Sequence, residues 1–302
     1  MSARARLREF YESLPFKQRV FELGRAHVRL PESIYRHLHF KGSVTIPVGP
    51  SQGFRTFHHG FQVENDLFWA GYGNGWEGTS LRLWAKLARQ ASTIVDIGAN
   101  TGVYALAAKA VNPSAQVYAF EPIERIAEKL KGNVALNGFD ISVVVAGASS
   151  ETGEAVIFEP TTEHAYSASL NPAMLAGRQD LRQSRIAVTR MDDFAAVRGL
   201  TSVELVKIDA EKHEVEVLTG FGAMISKSRP TFLLEVLDQA LGRKIVPFFS
   251  GLGYVFYEIV EGRELRRTEH LGTAMGNYLV CTTEAAQLAG FGDLVFHREL
   301  HT

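Results

Sequence analysis

Residues 94–104 read IVDIGANTGVY, an apolar run that breaks into a glycine turn and restarts as a helix. Strand, turn and helix in that order open an α/β unit, and open α/β sheets gather ligands at the carboxyl ends of their strands. The usual candidates for such a turn are a nicotinamide cofactor, a nucleotide phosphate and S-adenosylmethionine. A dinucleotide turn needs G-x-G-x-x-G and a P-loop needs G-x-x-x-x-G-K-[ST]. Here three residues separate Gly98 from Gly102, and neither pattern is met. Asp96 stands just ahead of Gly98, poorly placed for a pyrophosphate but well placed to neutralise a cation or to hold the loop through backbone N–H groups. S-adenosylmethionine carries an ammonium, a sulfonium, a ribose diol and an adenine, with no phosphate, and suits this turn better.

A second acid supports that choice. The next strand ends in AFEP, which puts Glu121 25 residues after Asp96. A carboxylate there can accept hydrogen bonds from both ribose hydroxyls. Simpler readings stay open: Asp96 as a turn-capping aspartate, and Glu121 as a first-turn acid favoured by the helix dipole.

Around this unit, strand and helix signals alternate. Strands are expected at 93–97, 116–120, 142–146, 203–208 and 231–236, and helices at 101–110, 124–136 and 213–226. That alternation predicts an α/β fold with a mostly parallel sheet and helices on both faces. The segments 254–260 and 277–283 are expected to add an antiparallel edge. Residues 1–75 differ in texture. Helical spacing runs to about Leu30, and two short strands, 43–48 and 54–59, flank a turn-rich Gly49-Pro50-Ser51-Gln52-Gly53. Residues 65–78, NDLFWAGYGNGWEG, read as a glycine- and aromatic-rich loop, and Thr79 as the cap of the helix that follows. The expected division is an N-terminal helical and β-hairpin extension, 1–75, covering the acceptor side, and a cofactor-binding catalytic domain, 76–302.

The 302 residues are 46% apolar with a formal net charge of −1. Near-neutrality argues against nucleic acid or anionic lipid as a general partner. The short cluster of Arg263, Arg266 and Arg267 reads as a solvated loop. The single cysteine, Cys281, excludes an internal disulfide and a cysteine zinc site, and fits a cytoplasmic setting. No apolar run approaches the roughly 20 residues of a membrane span, and the basic N-terminus lacks the apolar core of a secretory signal. Its Leu7, Phe10, Tyr11 and Leu14 recur at helical spacing. His37, His39, His58 and His59 form no convincing ligand set and read as surface residues.

Several blocks in order carry a resemblance: ENDLFW, WEGTSLRLW, VDIGANTGVYAL, AFEPIERIAEKLKGNVALNG, VTRMDDF, VELVKIDAEKHEVEVLTG, RPTFLLEV and NYLV. Over residues 65–280 the sequence resembles the FkbM family of S-adenosylmethionine-dependent methyltransferases. The resemblance implies a class I, Rossmann-like methyltransferase with a seven-stranded sheet in the order 3-2-1-4-5-7-6, and methyl transfer usually to a hydroxyl oxygen. It implies S-adenosyl-L-methionine as cofactor, held by Glu77, Asp96, Gly98, Asn100, Thr101, Gly102, Glu121, Pro122 and Ala148. Asp209 and Glu211 match the family's D-x-E. The family usually has glycine next, where this chain has Lys212, which bears on the geometry of the acceptor pocket.

The fourth strand ends in KIDAEKHE, so Asp209, Glu211 and His213 are the expected catalytic residues, with Asp209 as base or acceptor-positioning group. Glu235, at the end of the next strand, could line the acceptor side. Helix-start roles compete for Glu211, His213 and Glu214. A hard-oxygen metal site from Asp209, Glu211 and Glu235 is conceivable, but no metal is expected. Trp69, Trp76, Trp84, Tyr72 and the insertion 161–170 are the candidate acceptor walls, since aromatic rings suit sugar faces; core packing is the alternative for the tryptophans. The leading expectation is an O-methyltransferase acting on a sugar, polysaccharide or sugar-bearing small molecule, with no nucleic-acid or membrane partner and a possible homodimer. The alternatives are a polyketide, lipid or amine acceptor, or a non-catalytic cofactor-binding module of a biosynthetic assembly, which Lys212 would favour.

Overall fold

The computed structural model describes residues 16–160, 181–263 and 265–290. The N-terminal helical face at 7–14 and the insertion at 161–170 lie outside them. The strands in chain order are β1 (Gly42–Pro47), β2 (Gly53–His58), β3 (Thr93–Ile97), β4 (Gln116–Phe120), β5 (Ile141–Val144), β6 (Gly147–Ala148), β7 (Gly153–Pro160), β8 (Leu181–Thr189), β9 (Leu205–Ile208), β10 (Thr231–Val236), β11 (Tyr254–Ile259), β12 (Leu265–Thr268) and β13 (Gly276–Thr282).

Eight of these form the main sheet, in the order β12-β11-β13-β10-β9-β3-β4-β5. From β5 to β10 every pairing is parallel. β13 then inserts antiparallel between β10 and β11. Taking β3 as the first strand, this is the expected 3-2-1-4-5-7-6 order, with β12 added at the edge. β12 contains Arg266 and Arg267, so that cluster is an edge strand rather than a loop, and Arg266 pairs with Glu258 of β11.

Period-2 alternation sends neighbouring residues of each strand to opposite faces. Ile94 and Leu233 join the core under helix Val103–Val111. Val95, Phe232 and Leu234 join the core under helices Glu214–Gly220 and Gly222–Ser228. The expected single helix at 213–226 is thus two helices meeting at the fully buried Phe221. Gly220 explains the tight docking there, since a Cβ on it would lie 2.1 Å from the Ser149 carbonyl oxygen. A small sheet of β6, β8 and β7 flanks the carboxyl end of the main one.

The two N-terminal strands form the expected antiparallel hairpin. Val44, Ile46 and Phe54 sit in the same apolar cluster as Leu81, Trp84 and Ala105. Two asparagines of helix Glu124–Asn137 hold the hairpin: Asn137 Oδ1 accepts from Arg55 N at 2.6 Å and Asn133 Oδ1 from Phe57 N at 2.8 Å. His58 is 1% exposed and bonded to Asn65, so it is a core residue, and burial pushes its pKa down to about 4.

Part of the expected loop at 65–78 is helical. Helix Gln62–Trp69 starts where Glu64 reaches back to the Phe61 N–H at 3.1 Å. The next helix, Gly78–Ala88, is not capped by Thr79. Its free Thr79 and Ser80 N–H groups bond to the carboxylate of Glu261, from the β11–β12 turn. Among the described residues no helix is long and apolar enough to cross a membrane.

Candidate active site

A cavity of about 380 Å³ opens at the carboxyl ends of β3, β4, β9 and β10. That size is in the ordinary range for a small-molecule site. Glu77, Asp96, Gly98, Asn100, Thr101, Glu121, Pro122, Ala148, Asp209, Glu211 and His213 all line it. Gly102 does not. It begins helix Val103–Val111 at φ 96°, and a Cβ there would lie 2.3 Å from Leu130 Cδ1, so it is a helix-packing glycine.

The turn after β3 is tied down by backbone and carboxylates. Gly98 N and Ala99 N both donate to Phe120 O, at 3.1 and 2.9 Å. Asp96 Oδ2 accepts from Ala105 N at 3.0 Å, which is the loop-holding role. Glu121 accepts from Asn100 N at 3.0 Å and from Ile123 N at 2.9 Å. Burial raises the pKa of Asp96 and of Glu121 to about 7. Asn100 has φ 52°, and its buried Oδ1 lacks a hydrogen-bond partner. Asn133, which holds the hairpin, also donates from Nδ2 to Thr101 O at 2.8 Å. The N-terminal hairpin is therefore linked to the glycine turn through one buried side chain.

Three carboxylates gather near a buried lysine on the other side of the cavity. Carboxylate oxygens of Glu77, Asp209 and Glu235 lie within 4.8 Å of one another. Lys207, on β9 and 1% exposed, puts Nζ 3.3 Å from Asp209 Oδ2 and 5.2 Å from the Tyr104 ring centre. Burial alone would lower the lysine pKa, but Asp209, Glu77, Glu235 and Asp96 together hold it above the usual range. Burial and then Asp209 push Glu235 up to about 9. Glu77, at φ 46° and bonded to the Tyr104 hydroxyl, is raised chiefly by burial. Lys207 is not among the expected site residues, although a lysine in the apolar strand LVKI needs a partner. The expected acidic trio also shifts, with Glu77 in place of Glu211.

The 209–214 loop is built on Glu214. That carboxyl is fully buried and accepts from Ala210 N at 3.0 Å and Lys212 N at 3.3 Å. Glu211 and Lys212 have φ of 51° and 69°, the region glycine favours. Lys212 thus keeps a glycine-like backbone, and its Nζ pairs with Asp238 at 2.9 Å. Glu211 is raised to about 7 by burial and then by Asp209. His213 Nε2 contacts Ser149 Oγ at 3.0 Å, and burial lowers its pKa. Of the aromatic candidates among the described residues, only Trp76 lines the cavity. Trp84 is fully buried with Nε1 on Tyr104 O, Tyr72 donates to Leu81 O, and Trp69 packs on Phe21, Tyr35 and Phe68.

The sequence matches the family described as Methyltransferase FkbM domain over residues 96–256, more than half of the chain. The chain belongs to the FkbM methyltransferase family. The cofactor of this family is S-adenosyl-L-methionine. The chain is 29% identical over 192 residues to 31-O-demethyl-FK506 methyltransferase FkbM of Streptomyces tacrolimicus, covering 55% of this chain and 74% of that protein. It is 26% identical over 159 residues to 2-O-methyltransferase NoeI of Sinorhizobium fredii, covering 49% and 64%. The AMB antimetabolite synthetase AmbE of Pseudomonas aeruginosa is 25% identical over 183 residues, which is 50% of this chain but 9% of that protein. Among solved structures, Methyltransferase FkbM from Methylobacillus flagellatus is similar with a TM-score of 0.39 and 19% identity, over 63% of this chain and 43% of that one.

The cavity residues fit the cofactor. Glu121 retains acceptor capacity beside its two backbone bonds, since an ionised carboxylate offers about four lone-pair sites. The unpartnered Asn100 Oδ1 awaits a donor, and such orphaned buried atoms call for one.

Proposed function

We propose that this protein is an S-adenosylmethionine-dependent O-methyltransferase acting on a hydroxyl of a sugar or sugar-bearing molecule. The observation that carries the reading is the meeting of two acid sets in one cavity, Asp96 and Glu121 at the turn and Asp209 beside Lys207 across from them. Glu121 would hold the ribose diol, with Asn100 and the turn backbone completing that side.

Held by the turn and Glu121, the cofactor would supply a methyl group activated by its sulfonium, for displacement by the acceptor oxygen with the S–C bonding pair left on sulfur. The acceptor must also lose its proton. Asp209 is the residue to take it, since its carboxylate is 28% exposed, toward the cavity, and is backed by the buried Lys207. A positioned base of this kind contributes roughly 10²–10⁴-fold, and alignment of the two reactants contributes further. Trp76 offers an aromatic wall for a sugar face. The N-terminal hairpin, hydrogen-bonded through Asn133 to the turn, suits the role of an acceptor-side cap.

Lys212 gives no support to a non-catalytic module, because its loop keeps the backbone a glycine would have. The test is release of S-adenosylhomocysteine over a panel of hydroxylated acceptors headed by sugars. Wild-type turnover that falls at least 100-fold in Asp209→Asn, with cofactor binding intact, would support the reading. Transfer only to amines, or full activity in Asp209→Asn, would refute it.

A further inference from the structure

Helix Lys17–His27 is docked on the body through one edge. Gln18 Nε2 donates to Ser43 O at 2.9 Å, Phe21 packs on Phe40 and Trp69, and Arg25 Nη1 donates to Phe68 O at 2.7 Å. A helical step of about 100° per residue puts Gln18, Phe21 and Arg25 on one line and Val20, Leu23 and His27 on the line opposite. On a surface helix that outer line is ordinarily polar. Here Val20 is 62% exposed and Leu23 69%, and Phe16, in the turn before the helix, is 69% exposed. Single exposed apolar residues need no explanation, but a group of them does. Among the described residues ten large apolar side chains are exposed, and five of them, Val28 and Ile34 included, fall between Phe16 and Ile34.

The same stretch is basic. Residues 16–41 carry six lysines and arginines against Glu22 and Glu32, a local excess that the overall charge of −1 conceals. Lys17 and Arg19 border the apolar line on either side, and the exposed Arg29 and Arg36 follow the helix. Apolar residues flanked by cations suit a helix lying in a membrane interface, where the apolar side chains enter the acyl boundary and the cations meet anionic headgroups. Nucleic acid would answer the charge and leave the apolar residues in water. A second copy of the chain would cover the apolar residues, but a two-fold contact sets a patch against itself and brings its cations together. An anionic bilayer answers both features.

We propose that the outer edge of helix Lys17–His27 docks the protein on an anionic lipid bilayer, with Phe16, Val20 and Leu23 entering the headgroup region and Lys17, Arg19 and Arg29 meeting lipid phosphates. The helix lies on the surface rather than across it, since no described helix is long and apolar enough to span. It is also joined to the cavity wall. Trp69, packed on Phe21, ends the short helix that carries Val63 into the cavity lining. Docking therefore fixes the cavity relative to the lipid surface, whichever acceptor it takes.

The test is flotation of the full chain, without cofactor, with vesicles of phosphatidylcholine alone and of equal parts phosphatidylcholine and phosphatidylglycerol. The wild type should bind the anionic vesicles at least about tenfold more tightly. Val20→Gln/Leu23→Gln keeps the charge and places a good helix former at each position. It should weaken binding at least about tenfold through lost apolar burial. Arg19→Gln/Arg29→Gln should weaken it to a similar degree and flatten its dependence on salt. Val197→Gln, which removes an 85% exposed apolar residue from helix Met191–Arg198, should change nothing. All these positions are exposed, and circular dichroism should show wild-type folding in each variant. No binding to anionic vesicles by the folded wild type, equal binding to the two vesicle types, or binding that Val20→Gln/Leu23→Gln leaves intact would overturn the proposal. Sedimentation as a dimer that the same variant dissociates would give the face to a second copy and overturn it too. S-adenosylhomocysteine binding should be the same in every variant, so failure of the docking and failure of the methyltransferase reading are measured separately.

Discussion

A Cβ atom on Gly98 would lie 1.9 Å from the carbonyl oxygen of Asp209. The glycine that opens the turn after β3 is therefore required by the strand beside it, as well as by any ligand. Asp209 N donates in return to Ile97 O at 3.1 Å, so the two strand ends are stitched together where both acid sets meet.

Gly98→Ala follows directly. The residue has φ 77°, and the obstacle is backbone, which cannot step aside. We expect a loss of roughly 3 kcal/mol, at the upper end of ordinary single substitutions, together with loss of cofactor binding. Gly199→Ala is the control. Gly199 has φ 67° but open space around it, so only the backbone strain of about 1 kcal/mol remains. Urea unfolding of both variants measures the difference.

Asn133 carries a second prediction. Its fully buried amide serves Phe57 N–H and Thr101 C=O at once, each at 2.8 Å. Asn133→Ala strands both backbone groups, and each such loss costs about 1–3 kcal/mol. Cofactor affinity should fall too, because the amide anchors the turn, although it lines no part of the cavity. Calorimetry beside chemical unfolding checks both effects; unchanged affinity in a folded variant would detach the hairpin from the turn.

The acids set a pH dependence. Glu121 titrates near 7 in the folded protein, and hydroxyl donors need its ionised form. S-adenosylhomocysteine binding should therefore strengthen from pH 6 to pH 8, and less steeply in Glu121→Gln, where only Asp96 still titrates near 7 among the turn's two acids. Stability of the free protein should run the other way. Asp96, Glu121, Glu211 and Glu214 rise to about 7 from 3.8 or 4.5, and Glu235 rises to about 9. The folded state then holds protons the unfolded chain has released, so stability falls as pH climbs through that window. His58 and His213, both lowered from 6.5, oppose this only on the acid side. The melting temperature should drop between pH 6.5 and pH 9.

Lys212→Gly should stabilise the protein slightly. A left-handed non-glycine residue costs roughly 1–2 kcal/mol, and the partly exposed pair with Asp238 returns about 0.2–1 kcal/mol. A net gain near 0.5–1 kcal/mol in thermal unfolding, with cofactor affinity unchanged within about twofold, is expected from those magnitudes.

Much of the fold was legible because its strands are buried on both faces. β3, β4 and β10 have the expected bounds, each a short, mostly apolar and almost wholly buried run followed by a turn or loop. Elements decided by distant contacts were harder to read. Helix Gly78–Ala88 is capped by Glu261, 182 positions from Thr79, and no local pattern announces that. Helix Gln62–Trp69 hid in an aromatic and glycine-rich stretch because Glu64, not the aromatic residues, starts it. At the site, the turn acids and Asp209 could be read from motif and spacing. Lys207 and Glu77 acquired their roles only once β9, β10 and the segment before Gly78 converged. The Ser149–His213 contact, across 64 positions, is of the same kind.

The central claim is that the turn after β3 and Glu121 hold S-adenosylmethionine. Titration of S-adenosylhomocysteine into wild-type protein and into Glu121→Ala tests it most directly. The account predicts one-site binding by the wild type and at least a roughly 150-fold weaker affinity in the variant, the worth of two hydrogen bonds to a charged acceptor at about 1.5–3 kcal/mol each. Equal affinity in the two folded proteins, or no binding by the wild type, would contradict it.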